Sequence, residues 1–178
     1  MKTFKLLIAG ILFMVVGIFA VNYFTIESTS KLNTDTDIRN NGISYSIHYK
    51  YYIVPSTLVF DLKEVPLDKA PVDVFRVFLQ SSEALKDKTF KYVEISYKGK
   101  TKFMLQGDYF STLGNEYGLQ NPMYTTRTFP ENLLDQDGNR AYSVWGGGMI
   151  GVLSSQIKDF NDFTDKWYLE EITGERNY

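Results

Sequence analysis

The sequence predicts an α+β fold: a mainly antiparallel sheet with helices packed on one face, preceded by one N-terminal transmembrane helix. Three observations lead there. The run from Leu6 to Phe24, LLIAGILFMVVGIFAVNYF, carries no charged side chain and has the length a helix needs to cross a bilayer, about 20 apolar residues. Residues 43–53 and 90–97 alternate apolar and polar with the period of a half-buried strand. Residues 72–86 and 150–169 repeat their apolar side chains at helical spacing. After the apolar run the elements read β-β-α-β-β-α-β-β-α, without βαβ regularity, which favours a sheet covered by helices over a doubly wound fold.

Lys2 and Lys5 precede the apolar run, and the first acidic residue is Glu27. The positive-inside bias therefore predicts a cytoplasmic N-terminus and an extracytoplasmic C-terminal domain, with the lipid bilayer as the partner of residues from Leu6 to Phe24. A cleaved signal peptide is the competing reading, with Ala20 before the cut and a secreted product. Against it, the apolar run is long for a signal and no A-x-A pattern is present. The chain divides into an anchor (1–24), a polar linker (25–42), a single exported α+β domain (43–172) and a polar tail (173–178).

The linker reading rests on TIESTSKLNTDTDIRNNG, which has no apolar period and ends on the turn signal Asn41-Gly42. In residues 43–53, Ile43, Tyr45, Ile47, Tyr49, Tyr51 and Ile53 point one way, and Pro55 ends the strand. Residues 57–63 form a second, more central strand. Pro71 opens the first helix of the domain. Lys98-Gly99-Lys100 is a tight turn joining strands 90–97 and 101–105. Asp108 caps a short helix over 109–117, stopped by Gly118. Thr125, Thr126 and Thr128 favour a strand over 123–129, after a turn at Gln120-Asn121-Pro122. A helical turn follows at 130–134, then a turn at 135–139, a short strand at 141–145 and a terminal helix to about Leu169.

Composition narrows the function. Of 178 residues, 13 are Tyr and 13 Phe, enough for a core without staples, and no cysteine is present, so thiol chemistry and Cys-ligated metals are excluded. Setting Lys2 and Lys5 aside, 17 basic residues face 21 acidic ones, a net charge of −4 that argues against a nucleic-acid surface. The single histidine, His48, makes a His-based zinc site improbable and reads as a surface residue on a polar strand face.

Several motifs have a plainer reading. Gly146, Gly148 and Gly151 satisfy G-x-G-x-x-G between a strand and a helix, but the second parallel strand and the acidic ribose ligand are missing. The glycines are better read as permissive backbone that lets the helix pack closely on the sheet, with helix-start amides able to hold a simple anion. Residues 135–139 resemble a calcium loop, but Arg140 and Gly146 stand where that loop needs Gly and Glu. Asp61-Leu62-Lys63 has the D-x-K form of metal-dependent nucleases without a well-placed second acid upstream. No cofactor or metal is expected.

Two sets of residues remain as candidates. Tyr109, Tyr117, Asn121, Tyr124 and Arg127 cluster around a proline turn with the composition of a binding patch. Asp108 and Glu131 are the carboxylates that a glycan hydrolase would use if they converge. The leading expectation is a membrane-anchored extracytoplasmic module, not an enzyme, that binds a protein or cell-envelope component. The alternative is a carboxylate-dependent envelope hydrolase acting on a glycan.

Overall fold

The computed structural model describes residues 2–174, with side chains from residue 4 onward; most of the expected polar tail lies outside the described residues. The chain begins with α1 (Lys2–Asn22), a π turn (Tyr23–Glu27) and α2 (Ser28–Thr34), which follow one another without a break. The apolar part of this helix is long and apolar enough to cross a membrane and is not covered by the rest of the protein.

Residues 25–34, read from sequence as linker, are therefore helical, and one stripe of them is docked. Asn22, Ile26, Ser30 and Thr34 are all buried. The sequence signal was missed because the stripe is mostly polar. Its hydroxyls meet a side chain of the domain instead of an apolar floor: Ser30 Oγ and Thr34 Oγ1 lie 2.9 and 2.8 Å from the Tyr45 hydroxyl.

A five-stranded sheet follows, in the order β1 (Ser44–Lys50), β2 (Val54–Glu64), β3 (Tyr92–Tyr97), β4 (Lys100–Gln106), β5 (Leu133–Leu134). β2 and β3 run parallel, joined through α3 (Pro71–Ala84), and the other neighbours are antiparallel. The sheet is thus mixed and contains one βαβ crossover that the sequence pattern did not show. β1 stops at Lys50 because residues 51–53 turn. Pro55 lies inside β2 and does not end a strand.

The period-two pattern sorts the two faces. Ile47, Phe60, Ile95 and Phe103 occupy one row across four strands, all buried. Phe60 meets Phe78 of α3 at 5.2 Å between ring centroids and Trp167 at 6.1 Å. Phe103 meets Phe163 of α6 (Met149–Thr164) at 5.4 Å. Phe90 meets Phe110 of α4 (Gly107–Glu116) at 6.1 Å. Helices α3, α4 and α6 so build the core against this face. A second π turn (Asp165–Leu169) extends α6 and turns both Trp167 and Tyr168 inward, before α7 (Glu170–Gly174). Trp167 Nε1 donates to Ser96 O at 3.0 Å, so the buried indole keeps its hydrogen bond.

Two local expectations are corrected. Residues 123–129 are not a strand: α5 (Pro122–Thr128) is a helix, because Asn121 Oδ1 accepts from Met123 N at 2.9 Å and Pro122 occupies the first turn. Residues 141–145 are not a strand either. Tyr142 and Trp145 are drawn to α6 by side-chain bonds to Asp162 (2.8 Å) and Asp159 (2.6 Å). The sheet instead gains β5 beside β4.

Candidate functional site

The sequence-derived aromatic cluster spans α4, the turn after it and α5. Tyr109 and Tyr117 are half-buried and pack on the core. Burial, reinforced by the nearby negative charge of Glu116, pushes the Tyr109 phenol up, so it stays protonated. Asn121 serves as the N-cap of α5. Tyr124 remains exposed, with the Arg127 guanidinium 5.1 Å from its ring centroid. Arg127 Nη1 donates to Gln156 Oε1 at 2.6 Å, and Gln156 Nε2 donates to Glu131 Oε1 at 2.5 Å. This relay runs from α5 through α6 to the 3-10 turn at Phe129–Asn132.

The relay also ties α5 to α6. Phe129 follows Arg127 and meets Phe163 at 5.2 Å, while Arg127 itself meets Gln156. Met123 and Tyr124 stand in the first turn of α5, and Met149 and Ile150 in the first turn of α6. These side chains are exposed, Met149 at 78% and Ile150 at 86%, as is Leu119 at 87% just before α5. Leu119, Met123 and Tyr124 are close in sequence, and a contiguous exposed apolar patch marks an interaction surface. Sequence reading found Tyr124 and Arg127 but missed Leu119, Met123, Met149 and Ile150. The exposed face of α5 could not be seen while residues 123–129 read as a strand.

The glycines at 146–148 and 151 do not allow a close approach, since a Cβ at any of them would meet nothing within 4 Å. Only Gly147 needs its residue type for backbone conformation, at φ +118°.

A second site lies on the sheet face away from the helices. Asp61, Glu94, Ser96 and Thr101 line a cleft of about 320 Å³ with His48 and Lys50. Glu94 Oε1 lies 2.5 Å from Lys50 Nζ, and its Oε2 accepts from Thr101 Oγ1 at 3.1 Å. Asp61 Oδ2 pairs with Lys63 Nζ, and its Oδ1 accepts from Gly99 N at 3.0 Å. Every oxygen of the two buried carboxylates is thus engaged, which is how they are tolerated at 3% and 6% exposure. The Glu94 carboxylate holds the Lys50 ammonium above its ordinary range. His48 Nδ1 lies 2.8 Å from Tyr49 O, so Nδ1 carries the proton in the neutral ring and Nε2 is the acceptor. The imidazole stacks on Tyr52 at 4.3 Å. The Asp61–Lys63 pair seen in the sequence is here one half of a charge-balanced set of two ion pairs with buried carboxylates.

Asp108 and Glu131 line separate clefts. Asp108 borders one with Lys86 and Ser111, and Glu131 borders another with Gln106 and Arg140. Among the described residues no group of three or more His, Cys, Asp or Glu side chains is placed to hold a metal ion. No protein-family model, curated protein or solved structure matches the chain.

Proposed function

We propose that the protein is a single-pass, membrane-anchored module whose C-terminal domain stands outside the cytoplasm. There it binds an envelope protein through the exposed start of α5. The observation that carries this reading is the run of exposed apolar side chains Leu119, Met123 and Tyr124 beside the Tyr124–Arg127 pair. Methionine, tyrosine and arginine with flanking aliphatics have the composition of a protein interface core. The anchor is supported by the length and apolarity of α1, and the orientation by Lys2 and Lys5 before it.

The test is affinity capture from a detergent extract with the full chain, comparing the parent with Met123→Asp, Tyr124→Ala and Arg127→Ala. Loss of a common partner, with affinity falling roughly tenfold or more for a hot-spot residue, supports the reading. Equal capture by all three variants removes the patch from consideration. Protease accessibility on intact cells tests the topology, and a protected domain or a mature chain starting at Val21 would overturn the anchored reading.

A further inference from the structure

The turn between β1 and β2 lies beside the apolar helix, well below its polar end. Asn22 Nδ2 donates to Tyr52 O at 2.7 Å, and Tyr49 N donates to Asn22 Oδ1 at 2.9 Å. The Phe19 and Tyr52 rings meet at 4.6 Å. Between helix and turn runs a groove of about 450 Å³ whose wall includes Met14, Gly17, Val21, Tyr52, Ile53 and Pro55 and is almost entirely apolar. Met14 and Asn22 are eight residues apart, about 12 Å along the helix axis. The turn therefore spans the same depth as the C-terminal half of the uncharged run.

The residues at the tip fit that depth. Tyr51 is 73% exposed and Ile53 63%. Tyr51 and Tyr52 both adopt positive φ, +52° and +63°, a left-handed conformation that bulky residues take only at a backbone cost. Tyr52 packs its ring against Phe19 and His48, while the Tyr51 ring stands largely in the open. Lys50 and Lys91 sit at the same end of the sheet, Lys50 next to the turn and Lys91 bonded through its amide to Ser56 O at 2.7 Å. Tyrosines flanked by lysines are the pattern of a membrane–water interface.

We propose that the β1–β2 tip, residues 51–55, is a second membrane-contacting element. It enters the leaflet around the C-terminal half of the anchor helix, and a lipid acyl chain fills the groove between helix and turn. The inference rests on the reading of residues 6–24 as a membrane span. Lipid is the occupant because the groove is continuous with the surface that this reading places in the bilayer. The domain is then seated in the interface and not raised above it.

The chain has no cysteine, so single-cysteine labelling is clean. Ile53→Cys, Phe13→Cys and Asp137→Cys, each carrying a nitroxide, are placed in vesicles of phosphatidylcholine and phosphatidylglycerol at 3:1. Collision with oxygen is compared with collision with an aqueous nickel chelate. Tyr51→Cys repeats the measurement should Ile53→Cys fail to fold, with buried Trp167 emission as the check on folding. An oxygen-to-nickel accessibility ratio severalfold higher at residue 53 than at residue 137, approaching that at residue 13, is the expected result. A membrane-like residue 13 with an aqueous residue 53 overturns the inference and leaves the anchor standing. An aqueous residue 13 overturns both. Spin–spin broadening at residue 53 places a second copy of the chain in the groove and overturns the lipid assignment.

Discussion

Asn22→Leu tests the joint between helix and domain. β1 is an edge strand, paired on one side only by β2, and such an edge exposes unpaired amides. Asn22, 3% exposed, covers it: its carboxamide accepts from Tyr49 N and donates to Tyr52 O and, within the helix, to Ile18 O at 3.0 Å. Leucine has similar volume, favours helix and suits an apolar setting, so the substitution isolates the hydrogen bonds. It leaves the Tyr49 amide and the Tyr52 carbonyl without partners, at a cost of about 1–3 kcal/mol for a buried orphaned group. Because 1.4 kcal/mol corresponds to tenfold, local opening at Tyr49 should rise by roughly 5- to 150-fold. The assay is amide hydrogen exchange in detergent micelles, followed at Tyr49. Thr25→Val is the control, since Thr25 Oγ1 bonds only to Val21 O within its own helix. Unchanged Tyr49 protection in Asn22→Leu, with native Trp167 emission, would falsify the docking argument.

Further expectations concern the same framework. Tyr45→Phe removes the hydroxyl that serves both Ser30 and Thr34, two residues at 1% exposure or less, and should lower stability by about 1–3 kcal/mol in urea unfolding. Two glycine substitutions should act with opposite signs on the melting temperature. In Gly114→Ala the new Cβ would stand 2.3 Å from Ser82 O, where α4 crosses α3, a clash costing about 1–3 kcal/mol or more. In Gly151→Ala, within α6, it meets open space and should contribute about 0.5–1 kcal/mol through helix propensity. The pH dependence follows from Asp37. Hydrogen bonds from Arg39, then from Gln80, hold its carboxyl well below the usual range. A depressed folded value means its contribution is present above the ordinary carboxylate pKa of about 3.9 and is lost as pH falls through the lower folded value. Urea midpoints for the parent and Asp37→Asn should therefore differ by a constant amount above about pH 5, begin to converge only below about pH 4 and go on converging as pH falls further. Convergence at higher pH instead would refute the assignment.

The parts of the fold that were legible in the sequence are those whose contacts are apolar. The alternation in β1 and β3 and the apolar stripes of α3 and α6 all lead to rings that meet in the core, such as Phe60, Phe78 and Phe163. The illegible parts are held by polar contacts or by pairings distant in sequence. Residues 25–34 looked like linker because their docked stripe is Ile26, Ser30 and Thr34, with only one apolar member. In residues 122–128 the threonines suggested a strand, yet the local signal Asn121-Pro122 was that of a helix start, and the cap prevailed. β5 is two residues long and exists only because β4 offers it an edge. At the candidate patch, Tyr124 and Arg127 were visible by residue type.

The π turn after residue 22 explains how one helix can carry both the apolar run and the contacts to the domain. Asn22, Ile26, Ser30 and Thr34 are spaced by four, and all are buried against the domain. In an α-helix of 3.6 residues per turn, each step of four overshoots a full turn by about 40°, so three steps would carry Thr34 about 120° away from Asn22. The π turn holds more residues per turn, as shown by Ser28 N donating to Tyr23 O five residues back, and it counter-rotates the stripe. The same side of the helix therefore faces Tyr49 and Tyr52 at Asn22 and the Tyr45 hydroxyl at Ser30 and Thr34. Without that local widening, the helix would leave either the β1 edge or the Tyr45 pocket uncovered. The position of the domain relative to the apolar helix is thus set by side-chain contacts along a continuous rod. Any surface the domain presents, the exposed start of α5 included, is held at one orientation to residues 6–24.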